Sequence, residues 1–114
     1  IDEPEEVEFT DPFRIVEKMP SFPGGDLALM KQIAKEVKYP NLARENGIQG
    51  RVFVRFVITE KGEVDRVSVI RSVDPSLDKE AMRAVKNLRG WIPGTQRGKP
   101  VPVWYTLPIN FRLN

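Results

Sequence analysis

The sequence contains neither cysteine nor histidine. The first absence excludes disulfides, thiolate zinc sites and cysteine nucleophiles. The second removes the commonest general base and metal ligand, and with it Ser-His catalysis. Carboxylates, lysines and hydroxyls remain, and no Ser/Lys spacing suggests an activated hydroxyl. Acid pairs such as Asp78/Glu80 and Glu60/Glu63 fall at a helix start and in a turn, where solvation accounts for them. We therefore expect no enzyme, no cofactor and no metal. There is also no apolar run long enough to cross a bilayer and no basic signal-peptide region, so these residues are not expected to insert into a membrane.

What is present fits one compact core: 114 residues, 40% of them hydrophobic. The chain opens at Ile1 without an initiator methionine and reads as a fragment of a longer protein, with any anchor expected upstream. Its charge is uneven. Six of the 16 acids, Asp2, Glu3, Glu5, Glu6, Glu8 and Asp11, precede the first base, Arg14, which leaves 18 basic against ten acidic groups in residues 14–114, a net +8. Residues 1–25 accordingly read as the end of an acidic linker with an extended lead-in, and residues 26–114 as the domain. A basic body attracts anions, but no nucleic-acid module is present and Arg97-Gly98-Lys99 is only a small basic loop, so no nucleic-acid partner is expected.

Spacing supplies the elements. Leu27, Met30, Ile33, Ala34 and Val37 recur every three to four residues and predict a helix starting after Gly25 or Asp26. Pro40 stops it, and a short helical turn over Asn41–Asn46 ends at Gly47. Arg51–Ile58, rich in β-branched and aromatic residues, predicts a central strand, and Val64–Arg71 pairs back on it through a turn at Glu60–Glu63. Asp74-Pro75 caps a second helix whose stripe is Leu77, Ala81, Ala84, Val85 and Leu88 and which ends near Arg89-Gly90. Residues 91–100 read as a loop and Val103–Leu113 as a last long strand. The fold class is α+β: a three-stranded antiparallel sheet, order second, first, third, with two helices packed on one face.

The order rests on Pro102 and Pro108. Proline donates nothing to a ladder, so the last strand belongs at an edge. Both prolines are even-numbered, and alternate residues direct their backbone groups to opposite sides. Trp104, Thr106 and Asn110 should therefore face outward. Such an edge serves either as a rail for an incoming peptide strand or as protection against aggregation. Trp91, ahead of Pro93-Gly94, is expected to close the core, and Tyr39 to pack at its turn.

Tyr39-Pro40, Ala43, Gly50, Val52, Val54, Phe56, Gly62, Val64, Ser72, Leu77, Ala81 and Trp91-x-Pro93-Gly94, followed by a terminal strand, together resemble the C-terminal domain of the TonB energy-transducer family over roughly residues 26–114. The resemblance implies a periplasmic domain, anchored in the inner membrane of a Gram-negative bacterium through an upstream helix. It implies an inner-membrane motor complex driven by the proton gradient and, as partner, the TonB box of an outer-membrane transporter, which adds as a strand beside the last strand. Carried over by position, the partner-binding residues are Val103, Trp104, Tyr105, Thr106, Leu107, Pro108, Ile109 and Asn110, with the corner Lys38, Tyr39 and Pro40. The best-studied members have glutamine at the positions of Glu36 and Lys38. An exposed last strand also makes a strand-exchanged homodimer possible. Two alternatives stay open: a TonB-like module on a membrane sensor or peptidase, and an envelope scaffold of the TolA kind, against which Trp91-x-Pro93-Gly94 and Tyr39-Pro40 speak.

Overall fold

The computed structural model describes residues 11–114; the acidic segment expected to be linker lies largely outside them. In chain order the elements are α1 (Asp26–Glu36), α2 (Asn41–Glu45), β1 (Gly50–Ile58), β2 (Val64–Arg71), α3 (Pro75–Lys86), β3 (Gly94–Gln96), β4 (Lys99–Val101) and β5 (Val103–Phe111). β1, β2 and β5 form an antiparallel sheet in the order β2-β1-β5, so the proline argument placed the last strand at an edge correctly.

Alternation along β1 builds the core. Val52, Val54, Phe56 and Ile58 are completely buried against the helices, together with Leu77, Ala81 and Val85 of α3 and Leu107, Ile109 and Phe111 of β5. Each large apolar side chain buried in this way contributes on the order of 1.5–3 kcal/mol relative to exposure. Asp74 caps α3, its carboxylate accepting from the Ser76 N–H at 3.0 Å, with Pro75 in the first helical position. The helix stops at Lys86, three residues before the expected end, because Asn87 closes it; Leu88 is buried beyond it. Trp91 seals one end of the core, edge-on to Phe22 at 5.2 Å and tilted against Phe56 at 5.7 Å and Tyr105 at 5.2 Å.

Two expectations fail. The first concerns α1, which docks through Leu29 and Ile33, whereas Leu27 and Met30 of the anticipated stripe are 71% and 54% exposed. One turn separates Leu29 from Ile33, so this pair alone is enough to seat a three-turn helix. The second concerns residues 91–100, which contain the hairpin β3–β4, Gly94 pairing with Val101 and Gln96 with Lys99. Its three-residue strands are too short to show a period among Pro93, Gly94, Gly98 and Pro100.

The lead-in is part of the packed structure from Pro12 onward. Phe13 bridges Val103 in parallel, Lys18 pairs with Thr95 and Ser21 with Ile92, while Val16 is buried with Val101 and Val103. No helix among the described residues is long and apolar enough to cross a membrane.

Candidate functional site

Among the described residues, β5 has β1 on one side and no strand on the other. Its register with β1 is unbroken from Gly50↔Phe111 to Ile58↔Val103, so the alternation of its backbone groups is continuous. The Trp104 N–H donates outward to the Phe13 carbonyl at 2.8 Å, and the Phe13 N–H donates to the Pro102 carbonyl at 2.9 Å. Even-numbered residues therefore face outward, as their parity required. The same bonds show that the margin is partly occupied by the chain itself, which sequence pattern did not reveal. Past Trp104, the N–H groups of Thr106 and Asn110 and the carbonyls of Thr106, Pro108 and Asn110 have no backbone partner among the described residues.

Side chains divide between two surfaces. Val103, Leu107 and Ile109 point into the core, and Tyr105 is half-buried between Phe56 and Trp91, where desolvation chiefly, and then the charge of Asp26, push its hydroxyl pKa up. Thr106, Pro108 and Asn110 are exposed on the opposite face. Alongside the free margin, α1 and β5 enclose an apolar groove of about 430 Å³ lined by Met30, Ile33, Ala34, Val37, Tyr39 and Leu107, with Arg44 and Arg112 at its rim. The misassigned Met30 thus forms one wall of this groove.

The corner residues are not all brought to this margin. Tyr39 is: its ring meets Phe111 edge-on at 5.6 Å, its hydroxyl donates to the Ile48 carbonyl, and it lines the apolar groove. Lys38 and Pro40 instead line a separate shallow groove with Ser76, Lys79 and Arg83 of α3. Glu36 has a structural task. Arg83 donates to its carboxylate at 3.0 Å and to its backbone carbonyl at 2.7 Å, capping α1, and Asn87 donates to the same carboxylate at 2.9 Å. Glu80 accepts two hydrogen bonds from Arg83, at 2.8 and 2.7 Å, and one from the Lys38 N–H at 2.7 Å. The hydrogen bonds from Asn87 and then Arg83 hold the Glu36 carboxyl below its ordinary pKa; Arg83, and then the Lys38 amide, do so for Glu80. The described residues contain no group of acids able to hold a metal ion.

Comparison with known proteins agrees with this fold. Residues 35–113 match the family described as the C-terminal of the Gram-negative bacterial TonB protein. Two proteins of Pseudomonas aeruginosa are similar: protein tonB2, 32% identical over 78 residues, and protein TonB, 39% identical over 76. These matches take in 68% and 66% of this chain but only 28% and 22% of those proteins, so the chain spans about a quarter of their length. Among solved structures, the TonB C-terminal domain of P. aeruginosa superposes with a TM-score of 0.51 at 31% identity, covering 68% of this chain and 81% of that one. A Helicobacter pylori TonB C-terminal domain, 24% identical, shares the fold with a TM-score of 0.60 over 77% of this chain and 79% of its own. This chain belongs to the TonB family, as a C-terminal domain of that family.

Proposed function

We propose that this domain is the receptor-binding end of a TonB-type energy transducer. It binds another polypeptide and performs no catalysis. The TonB box of an outer-membrane transporter adds as a strand to the outer margin of β5, and the domain passes on force generated at the inner membrane from the proton gradient. That role places it in the periplasm, joined upstream to a membrane anchor and a motor complex. The observation carrying this reading is the backbone of an edge strand from Thr106 to Asn110, without a partner among the described residues, beside a groove able to take alternate side chains of the visitor.

The margin offers about five hydrogen bonds, each worth roughly 0.5–1.5 kcal/mol net, against the entropy of ordering the peptide. Binding is therefore modest and reversible, and main-chain bonding lets one domain serve several transporters. Lateral attachment also loads these bonds together when the peptide is pulled along its length. The test is titration of the ¹⁵N-labelled domain with N-terminal peptides of outer-membrane receptors. Thr106 and Asn110 amides gain exchange protection and the fluorescence of Trp104, at the same margin, changes. Protection confined to β2, the opposite edge, refutes the reading.

A further inference from the structure

The sheet has a second face that no helix among the described residues covers. While β1 sends its even residues into the core, Arg51, Phe53 and Arg55 point the other way, and pairing extends the pattern sideways. Arg51 stands opposite Asn110; Phe53 lies between Arg71 and Pro108; Arg55 lies between Ser68 and Thr106; Val57 lies between Asp65 and Trp104. Three guanidinium groups thus share one face, and the only acid at these paired positions, Asp65, is at its far end.

Each guanidinium is steadied by a neighbour that leaves N–H groups for a further partner. Arg55 lies over the Trp104 ring at 3.8 Å, Arg71 over Phe53 at 5.7 Å, and Arg51 Nε donates to Asn110 Oδ1 at 2.8 Å. Stacked, planar guanidinium groups are pre-organised for two-pronged bonds to carboxylates. At the Arg51 end the face deepens into an open groove of about 730 Å³ with Arg51, Arg71 and Arg112 in its wall and no acid.

The complementary charge lies in the same chain. Pro12 sits in a cleft with Val57, Arg66 and the two acids Glu60 and Asp65, so the chain preceding it joins the domain at the acidic end of this face, with the guanidinium groups further along it. The residues before it carry Asp2, Glu3, Glu5, Glu6 and Glu8 and no base. Nine residues span up to about 30 Å when extended, whereas Val57 to Arg51 along the strand is about 20 Å. We propose that the acidic segment Asp2–Glu8 docks on the open face, its carboxylates on Arg55, Arg71 and Arg51. Ion pairs at a surface are individually weak and screened by salt, so the segment releases as ionic strength rises. This inference does not depend on the transporter reading.

The test uses the whole chain, by NMR. One variant neutralises the segment (Asp2→Asn with Glu3→Gln, Glu5→Gln, Glu6→Gln and Glu8→Gln); another neutralises the face (Arg51→Gln, Arg55→Gln and Arg71→Gln), with the core amides of Val54 and Phe56 reporting that it folds and Arg71→Gln alone used if it does not. Raising salt from about 20 mM to about 0.5 M should shift the amides of Arg51, Phe53, Arg55 and Arg71 and the Trp104 indole in the direction produced by neutralising the segment. In that variant the salt response should fall several-fold, and neutralising the face should shift signals of residues 2–8. Face signals indifferent to the segment's charges overturn the proposal. So do phosphatidylglycerol vesicles that bind the face equally well in the natural and segment-neutralised chains, since a docked segment would compete with them.

Discussion

The Trp104 N–H is held by the Phe13 carbonyl at 2.8 Å, so the lead-in already fills the first outward position of the strand that an incoming peptide would use. Phe13→Pro removes the N–H that bonds the Pro102 carbonyl and loosens this contact. Recovering one hydrogen bond of about 0.5–1.5 kcal/mol corresponds to roughly two- to tenfold tighter peptide binding. Calorimetric titration checks it, with Phe13→Ala, which keeps the donor, as the control for lost packing against Val103. Unchanged or weaker affinity in the proline variant means the lead-in does not compete.

Parity along β5 makes a sharper demand. Thr106→Pro deletes an outward donor, so the domain should stay folded while peptide affinity drops about tenfold or more. Leu107→Pro deletes an inward donor opposite Val54 and removes a buried side chain, which should cost about 3 kcal/mol or more of stability. Thermal unfolding and titration of the two variants separate these effects. Equal destabilisation by both would contradict the assigned register.

The same parity explains what could be read from the sequence. Prolines at 102 and 108 mark an edge because they state which backbone groups go unused, and a Pro-free run at 51–58 marks the centre. The Asp74-Pro75 cap was equally plain, being a local interaction. The face of α1 was not, since a helix of 11 residues carries apolar side chains on two sides and only its neighbours select Leu29 and Ile33. Phe13 on β5 was hidden because a single bridge has no period, and Arg83 on Glu36 because it joins positions 47 residues apart. Family resemblance pointed to the margin of β5, but the groove wall at Met30 became visible only with the helix in place.

Two glycines of similar conformation should respond differently to alanine. Gly62, at φ +78°, is buried so that an added Cβ would overlap the backbone carbonyl oxygen of Trp91, whereas Gly98, at φ +76°, has nothing within 4 Å. Gly98→Ala should incur only left-handed strain, about 1–2 kcal/mol. Gly62→Ala must also displace the Trp91 backbone and should cost about 3 kcal/mol or more. Denaturant unfolding followed by Trp91 fluorescence measures both, and equal losses would show that the turn gives way without involving Trp91.

Arg83 ties acid stability to the joint between α1 and α3. Glu36 and Glu80 both titrate below their ordinary value of 4.5 in the folded chain, so the folded state prefers them ionised. Their contribution is fully present above that value and is lost as pH falls through the lowered one. Arg83→Gln removes the leading cause for Glu80 and the second for Glu36, to which Asn87 still donates, while the Lys38 amide still donates to Glu80. The variant should melt a few degrees lower at neutral pH, because the cluster is partly solvent-exposed. As pH falls through the lowered values, both carboxyls protonate in the natural chain as well, and the difference in Tm should shrink. A difference that stays constant from neutral to acid would mean that Arg83 acts through packing and the α1 cap, not through the two carboxylates.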